Sequence, residues 1–213
     1  MTHQPLIDQT VGQFLDELAS GTATPGGGSA AALSGAMAAS LIAMVCNLSV
    51  GKKQYAAFEA EAQSILARAE VLRGVLQHMA QEDIDVFNRL MASYRLPRET
   101  DADAAARKAA IQRVTRAATE APLRTARAIA DLLPLLAPLV RSGNRTAVSD
   151  VGAAVLLIQA ALPMALLNVE INLLVIEDQQ FVRETRARAE DLSVGLEEEI
   201  GEVLALVRER VRA

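Results

Sequence analysis

Along residues 58–90, apolar side chains recur in steps of three and four: Phe58, Ala62, Ile65, Ala69, Leu72, Leu76, Met79, then Val86 and Leu90. The step between Met79 and Val86 is taken by Asp83. That period belongs to a helix seated in a bundle seam. A carboxylate held there loses hydration, which costs several kcal/mol unless it is paired or serves a ligand. Asp83 is therefore either the partner of an arginine elsewhere in the bundle or a catalytic, ligand-orienting acid, and the pattern leaves both open. A second series, Asp150, Ala154, Leu157, Ala161, Ala165, Asn168 and Asn172, follows the same steps. Asp150 falls near a helix start, where capping or pairing with the dipole is the ordinary role of an acid. The alternative is a second catalytic carboxylate. Asn168 and Asn172 stand one turn apart, so they either read the amide edge of a heterocycle together or bond between helices.

A third feature is the run of 34 residues from Leu18 to Gly51, which carries no charge and contains Pro25-Gly26-Gly27-Gly28-Ser29. Glycines let successive amides point into one concavity. A helix starting just after them adds free N–H groups and the positive end of its dipole. Such a loop can seat an anionic or carbonyl-rich ligand, or it can be a tight entry into a closely packed helix. Its spacing matches neither the phosphate loop nor the dinucleotide fingerprint. Lys52 and Lys53 follow the run and either hold a substrate carboxylate or complement a helix end. Cys46 has no histidine nearby in sequence and reads as a small buried hydrophobe. His78 lies beside the apolar stripe, not on it, and neither Ser29 nor Ser34 has a Ser-His-Asp setting. His3 and His78 are the only histidines, so no metal-ligand cluster is expected.

The elements that must position these residues are helices. Ala and Leu dominate a composition that is 51% hydrophobic and only 3% aromatic, with glycine and proline gathered at a few points. This is the composition of an all-α protein, and the periodicities predict a bundle of about six long, partly kinked antiparallel helices. A capping box, Thr10 with Gln13, opens a short helix. The second helix runs over about 29–48, with small residues Ala31, Gly35, Ala39 and Ala43 every fourth position allowing close approach. The third covers about 54–94. The fourth covers about 103–140, kinked or segmented by Pro122, Pro134 and Pro138. Gly143-Asn144 makes a turn. The fifth runs from about 149 to 176 with a bend at Pro163, and the sixth from Asp178 to the C-terminus. With no repeat and no flexible linker, residues 1–213 are expected to form one domain.

The net charge of −5 argues against a nucleic-acid footprint. One cysteine excludes an internal disulfide and fits a reducing cytosol. Met1 to Asp8 has neither the basic nor the apolar region of a secretory signal. Residues 29–50 and 151–169 are uncharged and long enough to span a bilayer. They are rich in Ala, Gly and Ser, however, and lack an aromatic belt, so they are read as buried core helices and no membrane partner is expected.

Taken together, the motifs resemble the cyclodeaminase/cyclohydrolase family that acts on one-carbon tetrahydrofolates. The likeness rests on Thr24-Pro25-Gly26-Gly27-Gly28-Ser29 and on Met44-Val45-Cys46-Asn47-Leu48-Ser49-Val50-Gly51-Lys52-Lys53. It continues with Asp83 ahead of Val86-Phe87, with Gly143-Asn144 before Val148-Ser149-Asp150, and with Asn168-Val169-Glu170-Ile171-Asn172. These segments occur in the family's order over nearly the whole chain; Val86 stands where members often carry Ala. The resemblance implies an all-helical homodimer in the cytoplasm, with a tetrahydrofolate derivative bound near the subunit interface as substrate and no cofactor or metal. It implies hydrolysis of 5,10-methenyltetrahydrofolate to 10-formyltetrahydrofolate, or ring closure of 5-formiminotetrahydrofolate with loss of ammonia. No formiminotransferase domain accompanies these segments, which favours the first. Asp83 and Asp150 are the expected catalytic pair. Pro25, Gly26, Gly27, Gly28, Ser29, Lys52, Lys53, Asn144, Asn168 and Asn172 are the expected substrate contacts. The reading from a different class is a non-catalytic helical assembly protein in which both aspartates only make salt bridges.

Overall fold

The structure, a computed structural model, describes residues 5–212. His3 and the first half of the Met1 to Asp8 segment fall outside the described residues. Within them the chain forms eight α-helices and no strand: α1 (Val11–Leu18), α2 (Gly27–Asn47), α3 (Glu59–Tyr94), α4 (Asp101–Ala130), α5 (Leu136–Ser142), α6 (Val148–Leu173), α7 (Gln179–Asp191) and α8 (Leu196–Arg212). The all-α expectation is met.

Four helices form the core. α2 packs along α3 and α6, and α4 closes the ring by packing against α3 and α6. α2 is nearly all Ala, Gly and Ser on its inner side, so its neighbours come close. Ala31, Ala39 and Ala43 are buried. A Cβ built on Gly35 would lie 2.7 Å from Ile129 Cγ1, so the approach of α4 to α2 requires glycine there. The α3 stripe is buried as its period demands, with Ala62, Ile65, Ala69, Leu72, Leu76, Val86 and Leu90 inside. The capping box of Thr10 and Gln13 is present at the start of α1.

Two expected helices are broken. The fourth ends at Ala130, passes through a short 3-10 turn around Pro134, and resumes as α5. The sixth divides at Gly195, whose φ of 72° no helix interior accepts. Pro122 and Pro163, by contrast, sit inside continuous helices. Pro122 has no N–H to give the carbonyl of Ala118, four residues earlier. Asn172 Nδ2 on α6 donates to that oxygen at 2.7 Å, which replaces the lost bond. α2 and α6, the two helices among the described residues long and apolar enough to cross a bilayer by length and composition alone, pack against each other within this ring.

Candidate active site

α2 starts at Gly27 with Gly26 as its cap, and no side chain of the loop satisfies its first amides. The N–H of Ser29 is one of the orphan donors of that first turn. Asp83, from the second half of α3, fills the gap. Its carboxylate accepts from the Ser29 N–H and from Ser29 Oγ, which lies 3.0 Å from Asp83 Oδ2. Ser29 Oγ is also 3.0 Å from the Ala80 carbonyl oxygen, and its single proton serves one acceptor at a time. Asp83 thus caps α2 from the neighbouring helix. This contact dictates residue 28, because a Cβ on Gly28 would lie 2.2 Å from Asp83 Oδ1. Burial raises the Asp83 pKa above the usual aspartate range, while the two Ser29 bonds pull it back down.

Asp83 faces a cleft of about 310 Å³. Gly26, Gly27 and Gly28 line one side, Asp83, Val86, Phe87 and Leu90 the floor, and Ala118, Ala121, Asn168, Ile171 and Asn172 the other side. No lysine or arginine is among these residues. The neighbouring Glu82 is paired with Arg124, whereas among the described residues no lysine or arginine pairs with Asp83. Asn168 Nδ2 donates to the Met164 carbonyl at 2.8 Å, and Asn172 Nδ2 to that of Ala118. Each asparagine spends one Nδ2 proton within the bundle and keeps its second N–H and its amide oxygen. The site is a small apolar pocket with a carboxylate on its floor and two asparagine amides at its side. The carboxylate suits a cationic ligand.

The structure brings Asp83, the three glycines, Asn168 and Asn172 together as expected. Ser29 is fully buried and holds Asp83, so it positions the acid instead of meeting a ligand. Pro25 is buried beside the loop and lines an adjacent cavity of about 650 Å³ with Asp16, Glu17 and Asp85.

Four other candidates lie at the opposite end of the bundle. Asn144 is buried, donates its N–H to Ser49 Oγ and its Nδ2 to the Leu48 carbonyl, and accepts from Thr146 N–H, each at 3.0 Å. Its polar groups tie the end of α2 to the start of α6. Lys52 and Lys53 are exposed just beyond α2. Asp150 is in the first turn of α6, where the dipole favours an acid. It stands 18 residues before Asn168, about 27 Å along the helix axis. Asp83 and Asp150 therefore do not share a site within one protomer. Cys46 is fully buried, which pushes its thiol up to about 12 and leaves it inert, as its surroundings in sequence implied.

Sequence reasoning missed the α4 wall, Ala118 and Ala121. Two alanines in a helix rich in alanine carry no signal. The one available pointer was Pro122, which must orphan the carbonyl of Ala118 and so calls for a donor from outside α4.

A helical ring that closes on a half-buried carboxylate, paired with no described lysine or arginine, at a glycine-opened helix defines the class. Residues 10–191 match the family model described as formiminotransferase-cyclodeaminase, and the chain belongs to that family. It is 42% identical over 185 residues to the methenyltetrahydrofolate cyclohydrolase of Methylorubrum extorquens, an alignment spanning 87% of this chain and 89% of that protein. It is 30% identical over 210 residues to the formimidoyltransferase-cyclodeaminase of Sus scrofa, where the match covers 99% of this chain but 38% of the longer protein. Among solved structures, formiminotetrahydrofolate cyclodeaminase from Thermotoga maritima superposes with a TM-score of 0.81 at 28% identity, covering 96% of each chain.

Proposed function

We propose that this protein is a homodimeric, cytoplasmic enzyme that hydrolyses 5,10-methenyltetrahydrofolate to 10-formyltetrahydrofolate, with water as the only co-reactant and the whole chain acting as one domain. The observation that carries the reading is the Asp83 cleft: a half-buried carboxylate, capped by Ser29, with no described lysine or arginine beside it. The methenyl substrate supplies the missing positive charge, delocalised over N5, C11 and N10. The full-length likeness to a cyclohydrolase sets which reaction of the family is favoured.

The chemistry follows from that placement. The oxygen of water adds to C11, and the proton it loses passes to Asp83 as general base. The remaining hydroxyl of the adduct then gives up its proton as the C=O forms, the C11–N5 bond breaks, and N5 takes a proton from Asp83. One proton is released per turnover, since a cation becomes a neutral formyl product. Phe87 and Val86 give the pterin an apolar wall, and the oxygens of Asn168 and Asn172 meet its N–H groups. The cleft's low dielectric strengthens the attraction between Asp83 and the cationic bridge, which grows weaker once the neutral product forms.

Purified protein should consume methenyltetrahydrofolate, followed by loss of its absorbance against the uncatalysed rate. Ammonia release from 5-formiminotetrahydrofolate, measured in parallel, tests the cyclodeaminase alternative. Turnover of the formimino substrate alone would reverse the assignment. Failure of either folate to raise the melting temperature would favour a non-catalytic assembly protein.

A further inference from the structure

We propose that Pro122 is a positioning residue of the substrate site: by withholding an N–H it leaves the Ala118 carbonyl to the Asn172 carboxamide, and so fixes which edge of that amide faces the cleft. Locked in this way, Asn172 tells a heterocycle edge that donates from one that accepts at the same place. This rests on the folate reading above and extends it to what selects the pterin.

Pro122 is buried in the interior of α4, and the helix runs on after it to Ala130. An interior proline costs a helix one hydrogen bond, so its presence calls for a reason in its surroundings. The carbonyl it orphans belongs to Ala118, a residue of the cleft wall. Asn172 Nδ2 supplies the missing proton from α6 at 2.7 Å, and Asn172 lines the same cleft. The bond is therefore part of the site itself. α4 has other fastenings along this stretch: its buried face and the ion pairs Arg116–Asp178, Glu120–Arg188 and Arg124–Glu82. Removing the proline thus frees the amide without freeing the helix.

Asn168 shows an amide without such a lock in the same cleft. It stands one turn earlier on α6, and its Nδ2 donates to the Met164 carbonyl at 2.8 Å. That carbonyl lies four residues back in the same continuous helix, where the Asn168 backbone N–H is its regular partner. Losing the side-chain bond leaves it paired. The Ala118 carbonyl has no regular partner, because residue 122 has no N–H. If the Asn172 amide turned over, its oxygen would face the Ala118 oxygen, acceptor against acceptor. A carbonyl of a residue only 8% exposed would then be stranded. Turning over is penalised at Asn172 and tolerated at Asn168.

The locked amide keeps its oxygen and one N–H for a ligand. A 4-oxopterin presents the matching pair at adjacent positions, a donor at N3 and an acceptor at O4. A 4-amino ring reverses them: N3 accepts and the exocyclic amine donates. A fixed carboxamide meets the first and opposes the second, whereas a carboxamide free to turn over meets both. Holding the amide in place gives a discrimination that its own chemistry lacks.

Melting and binding together test the lock. In the wild-type chain Asn172→Ala strands the Ala118 carbonyl and should lower the melting temperature by about 3–8 °C. In a Pro122→Ala background the new N–H pairs that carbonyl, so the same change should cost under about 2 °C. Binding is followed by calorimetry with tetrahydrofolate and with its 4-amino analogue. Wild type should favour the 4-oxo compound at least about tenfold. Pro122→Ala protein, with wild-type helicity by circular dichroism, should narrow that preference to about threefold or less. An Asn172→Ala loss equally large in both backgrounds would overturn the proposal. So would a Pro122→Ala protein with undiminished preference, or a wild type that binds both compounds alike. Wild-type protein that binds neither compound would sink the folate reading and the proposal with it. The melting cycle needs no ligand, so it separates a missing lock from a missing substrate.

Discussion

The two ends of the α2–α6 pair use similar residues for opposite purposes. At the start of α2, glycine and serine meet an aspartate from α3, and the polar groups surround an open cleft. At its end, Ser49 and Asn144 meet backbone groups and each other, and their polar groups are consumed in the interior. The first end keeps a carboxylate short of a counter-charge; the second satisfies every polar atom of its asparagine. The difference shows how a site is told from a brace in an all-helical fold. Polar side chains occur at both ends, but only one end leaves some of them unspent.

Four substitutions sharpen or break that comparison. Asp83→Asn should cut kcat by about 10²–10⁴-fold, the worth of a positioned general base, in the methenyl absorbance assay. It should not destabilise the fold at pH 7. The raised pKa means that the protonated form of Asp83 is the one folding favours, so this group's contribution to stability is present below the unfolded value and is lost as pH rises through the folded value. A neutral Asn avoids that loss. Its melting temperature should therefore equal or exceed wild type at neutral pH, with the gap closing on acidification. A clear drop in melting temperature at pH 7 would make Asp83 a structural acid.

Gly28→Ala should reduce turnover by about one to two orders of magnitude, since its Cβ drives the Asp83 carboxylate out of place, and should cost about 1–3 kcal/mol in denaturant melts. Asn144→Ala, at the opposite end, should cost a similar 1–3 kcal/mol by stranding buried partners. Turnover per folded molecule should stay near wild type. Equal losses of turnover at both ends would erase the distinction between them. Ser29→Ala should have the smallest effect. Wild-type kcat should fall as pH drops through the raised Asp83 pKa. Removing the Ser29 hydroxyl, which lowers that pKa, should move the acidic limb upward by at most about one unit, the worth of one charge-assisted hydrogen bond.

What could be read from the residue order follows from physics that acts within a turn or two. The α3 stripe, the capping box and the small residues of α2 were legible because side chains at three- and four-residue steps share a face wherever the helix ends up. Asp83 stood out for the same reason, as an acid on an apolar stripe. Breaks were less legible. Pro122 and Pro134 are the same residue, yet one lies inside a helix, where Asn172 bonds the carbonyl it orphans, and the other sits in the 3-10 turn that follows one.

The chain's local chemistry thus determined by itself an all-helical architecture, an out-of-place carboxylate and a glycine-opened helix. The tertiary structure alone decided which of the marked residues meet. It set Gly28 against Asp83 across 55 residues, brought Asn172 to Ala118 across 54, and parted Asp83 from Asp150 by a helix length. Periodicity reports the face on which a side chain lies but is silent about height along the neighbouring helix. That height is set by how ridges of α2, α3, α4 and α6 interlock, a property of all four surfaces at once.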